Sequence, residues 1–213
     1  MKKGGKSVSR RISLYIALTA ASLSVLVSCA GTKLVSEWKD DQYQGRPTAF
    51  FVIVPSDDRG PRSLLEDEFV RQLKSRGTGA VASYTVFPKD AKITKEDVLL
   101  KAKELGMDSI LMVKFLKKEA GDAHTPVRRY AVPQAFDTTW DAYYGSAVSD
   151  IGVRDISYDY DIILMEATLF DSTSRKPLWS ALSETTYRGG AIKQIKPYTT
   201  TIVRRLAHGN LVP

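Results

Sequence analysis

Few residues in this chain have both the type and the spacing for acid–base, metal or nucleophilic chemistry. His124 and His208 are the two histidines, the residues that would change charge near neutral pH. His208 falls at the end of a periodic apolar segment, where a cation near a helix C-terminus is the plain explanation. His124 lies in a Gly121–Pro126 loop, and two histidines far apart do not make the three or four ligands that a metal centre needs. Asp57 and Asp58 follow one apolar run and Asp90 follows the next. If those runs are neighbouring parallel strands, the three acids meet at the carboxyl edge of the sheet, where such folds bind ligands. They would suit a hard cation there, or a pair of them a hydrolytic site. Shaping the turn and favouring the next helix N-terminus is the competing use of the same aspartates. Asp159 and Asp161 share one face of a strand, as exposed residues near a strand end do. Ser63, Ser83 and Ser146 have no histidine near them in sequence, and no Gly-x-Ser-x-Gly, Gly-x-Gly-x-x-Gly, phosphate-loop or His-Glu-x-x-His motif occurs. The single cysteine is Cys29, so everything after it lacks thiol catalysis, cysteine-held zinc and disulfides. No catalytic residue, metal ligand or cofactor is assigned.

The elements that would position such residues form one medium domain. The chain has 213 residues, 43% hydrophobic and 26% charged, which is enough for a real core. The formal charge of +7 includes five bases, Lys2, Lys3, Lys6, Arg10 and Arg11, that precede Cys29 with no acid among them. The remainder holds 26 bases against 24 acids, so there is no electrostatic case for a nucleic-acid partner. After the basic start, Ile12–Val27 is a 16-residue apolar stretch interrupted by Ser13, Thr19, Ser22 and Ser24. A spanning helix needs about 20 apolar residues, so this order reads as an export signal.

That stretch ends in Leu26-Val27-Ser28-Cys29, which resembles the bacterial lipobox. The resemblance implies removal of residues 1–28, diacylation of Cys29 through its sulfur and, usually, acylation of its new amine. Each buried methylene contributes about 0.8 kcal/mol, so two or three acyl chains hold a protein on a bilayer where one is marginal. Ser9–Leu14 is similar to a twin-arginine export signal except at Ser13, which favours ordinary export. Ala30 after the cysteine resembles the residue that sends enterobacterial lipoproteins to the outer membrane. Residues 29–47 show neither helical nor strand period and read as a lipidated cysteine and tether. Trp38 in it either packs on the domain's edge or sits at the membrane interface.

From residue 48 onward the period alternates. Ala49–Val54 is an apolar run that fits a central strand buried on both faces. Leu64, Leu65, Phe69 and Leu73 recur at helical spacing, between Pro61 at the start and Gly77 at the stop. Val81–Phe87 alternates like an edge strand. Thr94–Asp97 has the form of a capping box ahead of Val98, Leu99, Ala102 and Leu105, with Gly106 as the stop. Ile110–Val113 is a third run. Right-handed crossovers give these three parallel strands the order 2-1-3. Ile156–Phe170 and a strand from Pro177 to about Tyr187 form an antiparallel hairpin around the Asp171–Arg175 turn. A last helix carries Ile192, Ile195, Ile202 and Leu206, with Pro197 in its first turn or kinking it. The expected fold is α/β with three principal helices, spanning residues 48–213.

The lipobox, the Trp38-Lys39-Asp40 tether, the βαβαβ half, the Leu169–Ala181 hairpin and the closing helix together resemble small envelope lipoproteins of Gram-negative bacteria. The fold implied is similar to the αβ domain of the TolB amino-terminal part, the curli-secretion lipoprotein and the penicillin-binding-protein activator lipoproteins. No enzyme is implied. Residues 119–153 stand apart, with Tyr130, Phe136, Trp140, Tyr143 and Tyr144 in what reads as a long loop. Such aromatics either fold back as a lid or present anchors to a partner, with Trp140 foremost. The expected function is a periplasm-facing, outer-membrane-anchored accessory that docks an envelope protein or peptidoglycan. A small-ligand carrier and an acid-using envelope hydrolase are the alternatives.

Overall fold

The computed structural model describes residues 31–56, 59–88, 92–120, 139–149, 161–187 and 191–213. The export signal, Leu26, Val27, Ser28 and Cys29 lie outside the described residues, as do Asp57, Asp58, Asp90, His124, Tyr130, Phe136 and Asp159. The domain is a compact unit beginning at Gly31.

Six strands form one mixed sheet. β1 (Thr32–Lys39) and β2 (Ala49–Ile53) are followed by α1 (Arg59–Ser75), β3 (Gly79–Ala82), α2 (Lys95–Glu104) and β4 (Ser109–Ala120). Then come α3 (Trp140–Ser149), β5 (Asp161–Asp171), β6 (Pro177–Tyr187) and α4 (Ala191–His208). The sheet order is β1-β6-β5-β4-β2-β3. β2 pairs in parallel with β3 on one side and β4 on the other, which is the expected 2-1-3 arrangement of the first half.

β2 is buried on both faces because its alternate residues feed two cores. Phe50, Val52 and Val54 pack with Leu65, Phe69 and Leu73 of α1 and with Tyr198, Ile202 and Leu206 of α4. Phe51 and Ile53 point the other way, to Val98 and Ala102 of α2 and to Trp140 and Tyr143 of α3. The sheet is thus sandwiched, α1 and α4 on one face and α2 and α3 on the other.

Local chemistry ends these elements where the sequence indicates. Thr94 caps α2: its hydroxyl accepts from the Asp97 backbone N–H at 3.2 Å, and the Asp97 carboxylate accepts from the Thr94 N–H at 2.8 Å. Gly77 and Gly106, with φ of +79° and +67°, end the turns after α1 and α2 in the left-handed region that glycine enters at no steric cost. In the β5–β6 turn the Asp171 carboxylate accepts from the backbone N–H groups of Thr173 and Ser174. Pro197 lies inside α4, as its seventh residue.

Three expectations are corrected and one open choice is settled. The tether assigned to residues 29–47 is not a tether from Thr32 to Lys39: those residues are β1, an edge strand antiparallel to β6. Trp38 faces Ser180 across that ladder, partly buried, so it packs on the domain's edge. The second parallel strand stops at Ala82, and Ser83–Thr85 is a 3-10 turn. A fourth helix, α3, begins at Trp140 inside the segment read as a loop.

Candidate functional site

The aromatic segment was the expected docking surface, and its described part is core. Trp140, Tyr143 and Tyr144 are 1%, 0% and 6% exposed. They stand at i, i+3 and i+4, one face of α3, which is the sequence signal that would have placed them on a buried helix. The Trp140 and Phe170 rings meet edge-on with centroids 5.1 Å apart, and Tyr143 lies 5.1 Å from the same Phe170. Tyr144 donates its hydroxyl to the Ile93 carbonyl at 2.9 Å, and burial pushes its phenol up to about 12. This face is the lid over the sheet rather than a set of presented anchors.

Beneath the lid lies a buried polar cluster. Lys114 interrupts the apolar run of β4 and Glu166 that of β5, and the register sets the two residues opposite each other. Lys114 Nζ is 3.3 Å from Glu166 Oε2, with side chains 1% and 0% exposed. The ammonium also sits 4.2 Å from the centroid of the Tyr143 ring. Ser180 on β6 donates to Glu166 Oε1 at 3.2 Å, and Thr168 donates to the Tyr143 hydroxyl at 2.8 Å. Burial first, and then the Glu166 charge, pushes the Tyr143 phenol well above its ordinary value. A base, an acid and a phenol could together move protons, but no face of this cluster is open to a substrate. It fastens β4, β5, β6 and α3 to one another.

A second cluster occupies the carboxyl edge of β2 and β3, where the three aspartates were expected to meet. Its acid is Glu66, on α1 and fully buried. Glu66 accepts from the Val54 N–H at 3.0 Å, the Tyr84 N–H at 2.9 Å, the Ser83 hydroxyl at 2.8 Å and Arg62 Nε at 3.1 Å. Desolvation raises its pKa and these donors pull it back, leaving it above the usual carboxylate value. The carboxylate satisfies backbone groups left open where β2 and β3 end. Ser83, a candidate nucleophile by sequence, is consumed in this cluster; Ser63 donates to the Gly60 carbonyl at 3.1 Å. His208 is exposed in the last turn of α4.

A third acid, Glu37, accepts from Trp179 Nε1 at 2.8 Å and pairs with Arg205, tying β1 to β6 and α4. Sequence reasoning missed Glu37, Glu66, Lys114 and Glu166. The available sign for Lys114 and Glu166 was opposite charges each standing alone in an apolar strand; Glu66 and Glu37 carry no local sign. Among the described residues no group of three or more His, Cys, Asp or Glu is placed to hold a metal ion, and no helix is long and apolar enough to cross a membrane.

No family model matches the chain, and no curated protein does. Among solved structures, the PelC dodecamer from Paraburkholderia phytofirmans is similar at 11% identity with a TM-score of 0.40, over 79% of this chain and 97% of that one. Lipoprotein GNA1162 from Neisseria meningitidis is similar at 13% identity with a TM-score of 0.41, over 76% of this chain and 99% of that one. Likeness at this level says nothing of chemistry or partners.

Proposed function

We propose that the protein is a lipid-anchored envelope accessory that acts by docking rather than by catalysis. The observation that carries this reading is the fate of the interior acids and base. Glu66, Glu166 and Lys114 are bonded to backbone and side chains inside the core, each at most 1% exposed. Groups held this way stabilise a scaffold and are closed to a substrate. The lipobox-like Leu26–Cys29 supports anchoring through acyl chains on Cys29, and Ala30 supports delivery to the outer membrane, facing the periplasm. The likeness to the TolB, curli-secretion and penicillin-binding-protein activator lipoproteins belongs to the same reading.

The docking surface is then exterior to α3. Leu100 on α2, 58% exposed, is a suitable reporter position for it. Mass spectrometry of the mature protein is expected to find acyl groups on Cys29. Photo-crosslinking from position 100 in living cells is expected to capture one defined envelope protein or peptidoglycan fragment, and Cys29→Ser to abolish that capture. An unacylated protein, or capture indifferent to Cys29→Ser, overturns the proposal.

A further inference from the structure

β1 is held differently from the rest of the sheet. It pairs with β6 alone, and its ladder shifts register between Leu34 and Ser36. None of its eight residues is buried, whereas β6 is buried without a break from Leu178 to Ser183. Leu34 reaches the core that α1 and α4 share with the sheet. Against that contact, Ser36 Oγ is buried without a hydrogen-bond partner, which weakens the hold of the strand. An edge strand that buries so little opens at a lower free energy than strands that feed two cores.

Polar contacts close β1 at both ends. At its start the Thr32 and Thr185 hydroxyls lie 2.9 Å apart. Near its end Glu37 Oε1 accepts from Trp179 Nε1 at 2.8 Å, and Glu37 Oε2 accepts from Arg205 Nε at 2.8 Å. The indole belongs to a fully buried ring on β6, and the guanidinium to α4. The Arg205 and Glu37 side chains are 41% and 21% exposed, so counterions reach the pair. Past Lys39 the chain is fixed again. The Asp40 N–H donates to the Leu178 carbonyl at 2.9 Å, the Tyr43 N–H donates to the Asp40 carbonyl at 3.2 Å, and Tyr43 packs on the same core as Leu34.

We infer that β1 is a strap: it swings open from Asp40 as a unit while the other five strands stay folded, and the Glu37–Arg205 pair is its latch. Opening strips the hydrogen bonds from one edge of β6 between Trp179 and Thr185, and it leaves the indole N–H and the guanidinium without their carboxylate. A bare edge of that length is a template for another strand, which is what the closed strap withholds. Closing restores every one of these bonds, so the segment that the edge takes back is β1 itself. Release is graded by ionic strength, because a part-exposed ion pair weakens as salt rises. The strap needs neither acylation of Cys29 nor a docking partner, and so goes beyond both.

β6 lies between β1 and β5, both antiparallel to it, so its successive residues bond alternately to one neighbour and the other. That alternation gives the strap its own signature in amide hydrogen exchange, followed residue by residue on the purified full chain at low and at high salt. The β6 amides bonded to β1 are expected to exchange at least about a hundredfold faster than those bonded to β5, and at one rate with the bonded amides of β1. High salt is expected to speed the β1-bonded class further. Arg205→Gln is expected to speed it about fivefold at low salt, the worth of an exposed ion pair, and to remove its salt dependence. Glu37→Ala, which also strips the acceptor from Trp179 Nε1, is expected to speed it about tenfold or more. Equal protection along β6 in the wild type means that β1 opens only with the whole domain, and overturns the strap. Two classes of amide that are indifferent to salt and to Arg205→Gln overturn the latch.

Discussion

At the scale of single residues, the interior is organised by a few charges that each close several open hydrogen bonds. Glu66 is the clearest case. Removing its carboxylate by Glu66→Ala leaves the Val54 and Tyr84 N–H groups and the Ser83 hydroxyl with no acceptor. Each buried group so orphaned costs about 1–3 kcal/mol, and urea unfolding is expected to show a loss of about 3 kcal/mol or more. The same group has a pH signature. Its folded pKa lies above the ordinary 4.5, so the folded state binds the proton more readily than the unfolded one. Its contribution is complete below pH 4.5 and is lost as pH rises through the raised value. Tm measured against pH is expected to fall across that window in the wild type relative to Glu66→Gln, which has no proton to lose. Lys114 and Glu166 follow a different rule. Lys114→Met strands a buried carboxylate and is expected to cost about 3–5 kcal/mol, whereas Lys114→Met with Glu166→Leu is expected to recover most of it. Additive losses in that double-mutant cycle would show that the pair is not the unit it is taken to be.

At the scale of elements, what was legible in sequence was what has local punctuation. The capping box at Thr94, the glycine stops at 77 and 106, and the Asp171 turn each bond their own backbone, so a short window of residues contains the whole cause. The run Phe50–Val54 was legible because both its faces are apolar. β1 was not, since an edge strand has one covered face and one ladder. A bulge between Leu34 and Ser36 breaks its period, and Thr32, Lys33, Ser36, Glu37 and Lys39 read as solvated chain. Only the ladder to β6 makes it a strand, and that contact is some 145 residues away in sequence. Glu37→Ala tests the point: it leaves Trp179 Nε1, on a fully buried ring, without its acceptor. Chemical denaturation is expected to show a loss of about 1–3 kcal/mol, where a tether residue would show none. α3 is the opposite case, with a legible period in a segment rich in glycine and proline that suggested a loop. Trp140→Ala is expected to cost about 3–5 kcal/mol of stability, measured on the purified protein, as for other large rings removed from a core. An unchanged unfolding midpoint would return Trp140 to the list of candidate anchors.

At the scale of the whole molecule, the proposed anchoring and the fold combine into a constraint on what the protein can touch. A domain on a long flexible tether samples a volume, and its partners meet it at an effective concentration set by that tether. A domain joined through two residues to the proposed acyl anchor samples less. The exposed Leu100 lies in the second half of α2 and the exposed Leu105 directly follows that helix, toward the end occupied by the β5–β6 turn. Restoring a tether separates the two situations. A ten-residue Gly-Ser insert between Gly31 and Thr32 has an r.m.s. span of about 17 Å. The insert touches no core residue and leaves the β1–β6 ladder intact, so Tm and the acylation of Cys29 are expected to be unchanged. Photo-crosslinking from position 100 is expected to capture the same partner less efficiently, because the added span dilutes the domain near a partner held at the membrane. If capture instead persists at full strength with the insert in place, the partner is held by its own affinity for the domain, and the short linkage is not what brings the two together.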